Sequence, residues 1–414
     1  MYKYNNNFFF LLLYSSLIIG FSFGENLNYG SQHDWEGAYI PPIKDFAENF
    51  IDTLLNYEIY GQRHSPFYLV LLSFFYKLGL SLDVIRIIHL HLCISLIFIF
   101  YKCLKLQFNS TDKKILQLLS LIIFLSPTYR SLSIWPDSRL PGLIFFVLCV
   151  YYFLKFLKKP ENKNSWFCSI SLIFASYISP NYSLFSIYFY FIFFRHLNII
   201  NFILLMIFNL FAAFPMLYYL FILDINFLIA GKTPGPLGEI SSLNFNLSNK
   251  ILIISSIIFF HLIPVFFYTV NYKKFLIFVK SKIIYIFVIL LVLIYFFNYQ
   301  TDFTGGGFFY QLSNFLFNNN LLFFLICFFS ISLFFYLSSI NFENFLIISL
   351  LIISNVQNSI YHKYYEPLII IIFFILFKNL NFKYYFSNFK NLLFLYFFGI
   401  FFIILRVIKN VYFL

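Results

Sequence analysis

Two carboxylates one residue apart, Asp34 and Glu36, flank Trp35 and follow His33, with Gly30, Gly37 and the Pro41-Pro42 pair on either side. These glycines and prolines are expected to forbid regular helix and leave a short, rigid acidic turn. A turn of this kind can do two sorts of chemistry. One is general-base removal of a proton from an acceptor hydroxyl or amide while a sugar leaves a lipid phosphate. The other is oxygen ligation of a divalent cation. Downstream, Arg63-His64-Ser65-Pro66-Phe67-Tyr68 sets two potential cations at the start of a Pro-initiated helix. The free N–H groups and dipole of such a helix favour an anion, and a phosphate suits it.

Two further clusters offer similar groups. Trp135-Pro136-Asp137-Ser138-Arg139 places an acid and a base within one turn at the start of another helix. Asp137 suits the helix dipole, and Arg139 is a candidate contact to phosphate or sugar. Arg130 is a weaker candidate of the same kind. Gln357 to Pro367 is the densest polar cluster outside the first loop. There His362 and Lys363 offer positive charge, and Tyr361 and its neighbouring tyrosines offer hydroxyls and stacking faces. Each cluster has a plain alternative: a solvated acidic loop, basic residues snorkelling to headgroups, or an interfacial aromatic belt. For Asp45, Glu48 and Asp52 the plain reading wins. Their three- and four-residue spacing beside Phe46, Phe50 and Leu54 is the polar face of an amphipathic surface helix.

The elements that must hold these residues are membrane helices. Hydrophobic residues make up 61% of the chain and charged residues 11%, and mean hydropathy is +0.83. A soluble domain of 414 residues needs far more charge to cover its surface. The apolar residues come in blocks, and in hydrocarbon every backbone group must be paired internally, so the blocks read as helices. They lack the period-two alternation of porin strands. Spans are expected near residues 8–22, 84–101, 115–134, 140–157, 166–178, 182–194, 199–221, 251–270, 283–298, 321–338, 344–355, 367–377 and 391–408. The fold class is therefore all-α, a polytopic membrane protein of about 13 transmembrane helices. It reads as one domain over residues 1–414, with a first outer loop at 24–82 carrying short interfacial helices. The first span is read as an uncleaved anchor rather than a signal peptide, because its flank lacks an A-x-A pattern.

Charge orients the spans. If Pro66–Leu80 lies at the interface, 17 of the 28 Lys and Arg face the cytoplasm with three of the 16 carboxylates. The other side then holds the remaining 11 basic and 13 acidic residues. The positive-inside bias favours that arrangement and accounts for the net charge of +12 without a nucleic-acid partner. The polar loops 24–65, 224–250, 298–320 and 355–366 then share the non-cytoplasmic face. Among them are Gly231-Lys232-Thr233-Pro234 and Asp302 to the triple glycine Gly305–Gly307, a candidate lid hinge. The five cysteines lie in or beside apolar blocks and make no disulfide framework or Cys-type metal site.

In these residues the chain resembles the integral-membrane glycosyltransferases of the GT-C class that use polyprenyl-phosphate sugars, of the protein O-mannosyltransferase and aminoarabinose-transferase type. The resemblance is carried by Asp34-Trp35-Glu36, by His64-Ser65-Pro66-Phe67-Tyr68, by Gly79 and by Arg86 opening the next span. Leu125-Ser126-Pro127 and Trp135-Pro136-Asp137 add weaker echoes. The acidic pair is split by Trp35 rather than adjacent, and Ser65 stands where the pattern has a first proline. The resemblance implies Asp34 or Glu36 as catalytic base, with Arg63 and His64 at the lipid phosphate. It further implies a polyprenyl-phosphate-linked sugar donor and a glycan, lipid or protein acceptor. It names no definite cofactor and leaves a divalent cation open as one. The expected setting is a cell membrane, bacterial inner membrane before endoplasmic reticulum, with the site on the non-cytoplasmic face. The alternatives are a flippase or transporter for a lipid-linked glycan, and a glycan polymerase or ligase.

Overall fold

The computed structural model describes residues 6–28, 30–61, 64–223, 246–299, 305–355 and 359–412. Among them there is helix and no strand. The chain divides into two compact units, one of residues 1–243 with 402–414 and one of residues 244–401.

The first unit opens with α1 (Asn6–Ser22) and continues through the short helices of the first loop: α2 (Gly30–His33), a π-helical turn at Asp34–Tyr39, α3 (Ile40–Glu48), α4 (Phe50–Leu55) and a 3₁₀ turn at Tyr57–Tyr60. Then come α5 (Phe67–Lys77), α6 (Leu82–Gln107), α7 (Lys113–Leu121), α8 (Pro127–Ile134), α9 (Arg139–Lys158), α10 (Asn162–Ile178), α11 (Ser186–His196) and α12 (Ile199–Phe221). α9 packs against both α6 and α10, and α3 packs on α5. The second unit holds α13 (Leu247–Thr269), α14 (Tyr272–Tyr295), α15 (Gly307–Phe317), α16 (Leu321–Ile340), α17 (Phe342–Ile353), α18 (Leu368–Ile375), α19 (Phe382–Ser387) and the first half of α20 (Phe389–Tyr412). There α13 is the hub, in contact with α14 to α19.

Seven of these helices are long and apolar enough to cross a bilayer: α6, α9, α12, α13, α14, α16 and α20. Each coincides with an expected span. The stretch expected to span at 115–134 is instead a bent pair of helices. α7 and its 3₁₀ extension meet α8 at a 67° bend. The cause is local: Ser126 leaves the helical region and its hydroxyl caps the Tyr129 N–H at 3.0 Å. Pro127 then begins the new helix, where its missing N–H costs nothing. The other five expected spans correspond to shorter helices: α1 and α10 at 17 residues, α11 at 11, α17 at 12 and α18 at 8. α5 has 11 residues, the same length as α11, and rises only about 16 Å.

Burial differs sharply between helices. α8 is buried along all eight residues, Arg130 included. α12 buries only Leu205 and exposes Phe211 and Phe214. Exposed Phe is costly in water and neutral against lipid tails, so α12 is a lipid-facing surface. A buried polar half-helix such as α8 must instead find partners within the protein.

Candidate functional site

The acidic turn is helical after all, but not α-helical. Asp34–Tyr39 forms a π turn between α2 and α3. The prolines do not break it because Pro41 and Pro42 fall in the first turn of α3, where no N–H is required. The wider π turn has one clear effect. It brings Trp35 and Tyr39 onto a single buried face, with their rings 6.4 Å apart, while Asp34 is half-buried and Glu36 exposed. π turns of this sort are concentrated at functional sites.

Tyr39 ties the turn to the next cluster. Its hydroxyl lies 3.1 Å from the Ser138 Oγ and accepts the Ser138 N–H at 3.0 Å. Burial, and then the Asp137 carboxylate, push the Tyr39 phenol well above its ordinary range. It therefore stays protonated and keeps its hydrogen bonds at any working pH. Beside it, Asp137 is buried and accepts two bonds from Arg139, from the backbone N–H at 2.8 Å and from Nη1 at 2.6 Å. Arg86 completes this region. Its guanidinium stacks 3.9 Å over the Trp135 ring, donates to the Ile134 carbonyl and to Asp83, and feels the Glu36 carboxylate electrostatically. The structure thus gathers Asp34, Glu36, Asp137, Arg139 and Arg86 around one tethered turn.

The remaining expected residues fall as follows. Arg63 lies outside the described residues. His64 is half-buried, and its carbonyl accepts the Tyr57 hydroxyl at 3.0 Å. Ser65 follows, its hydroxyl donating to the Tyr177 carbonyl. Tyr361, His362 and Lys363 belong to the second unit, where His362 is buried and the Lys363 Nζ lies 5.3 Å from the Tyr361 ring centre. The Gly231–Pro236 stretch and Asp302 are also outside the described residues. Among the described residues no three His, Cys, Asp or Glu gather closely enough to hold a metal ion.

Several partners were not legible beforehand. Glu25, which no motif singles out in the sequence, makes a bidentate pair with Arg130, each contact 2.6 Å. Arg130 also donates to the hydroxyl and carbonyl of Ser16, both at 3.0 Å. That guanidinium is engaged within the protein on both of its edges. His89 is a core residue, bridging the Tyr68 hydroxyl at 2.5 Å and the Leu132 carbonyl at 2.8 Å. His261 in α13 meets His362, and the only advance signal was an ionisable group at the end of an apolar block.

A scan against models of protein families and searches of curated proteins and of solved structures give no match.

Proposed function

We propose that this chain is a membrane glycosyltransferase that moves a sugar from a polyprenyl-phosphate donor to an acceptor on the non-cytoplasmic face. The observation that carries the reading is the tethered π turn. It buries Trp35 and Tyr39, leaves Asp34 half-buried and Glu36 exposed, and sets Glu36 within electrostatic reach of Arg86, in the loop that follows α1. A carboxylate held on a fixed turn can take a proton from an acceptor, while the Arg86 guanidinium supplies positive charge for a departing lipid phosphate, with Arg139 and His64 as the further expected contacts. A single displacement at the anomeric carbon inverts its configuration. The accompanying topology has thirteen crossings. α1 and α10 span at 17 residues each, while α11, α17 and α18 cross together with the residues around them. A bacterial inner membrane is the proposed location, and a glycan, lipid or protein the acceptor.

A second reading, a transporter of lipid-linked glycan, draws support from the ionisable residues buried in α13, Lys250 and His261. The two are separated by incubating membranes with radiolabelled polyprenyl-phosphate sugars. A transferase moves label to a new acceptor, whereas a transporter relocates the intact donor and leaves the glycosyl phosphate bond unbroken.

A further inference from the structure

The second unit contains a chain of three groups that leaves no room for an extra proton. The backbone N–H of Phe308 donates to His362 Nε2 at 2.7 Å. That nitrogen must therefore be unprotonated, and the proton of neutral His362 sits on Nδ1. Nδ1 in turn lies 3.2 Å from His261 Nε2, which must accept it. Both rings are thus neutral and both carry their proton on Nδ1. Both are buried. A proton added to either ring sets two donors face to face, at the His261 contact or at the Phe308 contact, whichever tautomers are chosen.

What the Phe308 contact holds is the start of α15. Gly305, Gly306 and Gly307 have φ of 152°, 79° and 81°, and a side chain on them would collide with Ile360, Tyr310 and Ile257 respectively. The turn is docked by two bonds to one segment: Gly306 N–H to the Ile360 carbonyl at 2.9 Å, and Phe308 N–H to the imidazole two residues further on. His362 therefore serves as the cap of an 11-residue helix. A neutral imidazole suits that place, whereas an imidazolium is repelled by the positive end of the helix dipole as well as by the N–H it faces.

We infer that His362 is a proton-released clasp: it holds the triple-glycine turn and the first turn of α15 closed when neutral, and frees them when protonated. Among the described residues, the titratable and charged groups packed round it include His261 on α13 and Tyr299 and Tyr310 beside the glycine turn. On its own segment stand Lys363, Glu366, Tyr361, Tyr364 and Tyr365. Of these types, only imidazole ordinarily changes charge between pH 5 and 8. Both nitrogens of His362 are already engaged, which leaves the pair closed to a metal ion. The inference stands apart from the transferase reading.

The test is hydrogen exchange of the full chain in nanodiscs, read on peptides covering 305–317 and corrected for the intrinsic pH dependence of exchange. Wild-type protein should lose protection there by at least about tenfold between pH 8 and pH 5.5, with α9 unchanged. His362→Gln keeps an acceptor for Phe308 but cannot be protonated, so its protection should not vary with pH. His261→Gln still leaves a titratable cap and should keep the acid response. Nitrogen-15 NMR of histidine-labelled wild-type protein gives an independent reading, and both rings should be Nδ1–H tautomers at pH 8. A pH-independent wild type, an acid response that survives in His362→Gln, or Nε2–H tautomers would overturn the inference. So would protection by one equivalent of zinc chloride that is lost in His362→Gln.

Discussion

Glu25→Gln should unfold the first unit far more readily than its place in a polar loop suggests. The Arg130 guanidinium donates four hydrogen bonds, two to the Glu25 carboxylate at 2.6 Å and two to Ser16 at 3.0 Å. The side chains of Arg130 and Glu25 are 9% and 19% exposed. Glutamine keeps the shape but removes the charge and turns an N–H pair toward the guanidinium. Breaking a buried pair in this way costs about 3–5 kcal/mol, and the partial exposure of Glu25 lowers that to about 2–4 kcal/mol. For a unit of this size the thermal midpoint should fall by roughly 5–15 °C, measured as loss of monodisperse protein on heating in detergent. The double variant Glu25→Leu with Arg130→Met removes both charges together and should be less damaging than Glu25→Gln alone. A shift of Glu25→Gln below about 2 °C, the range of an exposed pair, refutes the reasoning. Were it joined by full loss of transfer, Arg130 would be a substrate contact after all.

Two other substitutions probe the devices that shape each unit. Tyr39→Phe removes both contacts to buried Ser138 and should cost about 1–3 kcal/mol, while slowing transfer with Asp34 and Glu36 intact. An unchanged midpoint together with an unchanged rate would show that the π turn needs no tether. Gly305→Ala forces a methyl to within 2.8 Å of the Ile360 carbonyl and the Tyr299 hydroxyl at a φ of 152°. It should destabilise the second unit by about 1–3 kcal/mol, seen as deprotection of 305–317 at pH 8.

The long apolar blocks announced their helices because hydrocarbon leaves the backbone no other choice, and seven of them reach spanning length. Helix extent was less legible where the block was short. Residues 367–377 are apolar throughout, yet α18 covers only Leu368–Ile375, since hydropathy reports burial and not where the backbone turns. The break at Ser126-Pro127 was written in the sequence as a cap followed by a proline, but the apolar run across it read as one span. At the site, Asp34 and Glu36 could be singled out by their surroundings. Their presentation could not, because a π turn has no periodic signature, and Tyr39 looked like one aromatic among many. The Glu25–Arg130 pair joins residues more than a hundred positions apart, a contact that no local spacing signals. His261 and His362 are separated in the same way.

The claim on which the account turns is that an outward carboxylate of the first loop removes the acceptor proton. The direct measurement is the initial rate of label transfer from polyprenyl-phosphate sugar by wild type, Asp34→Asn, Glu36→Gln and the double variant, each matched for thermal midpoint. The account expects one single variant and the double variant to lose about two to four orders of magnitude in rate. Transfer at the wild-type rate by the double variant would contradict it.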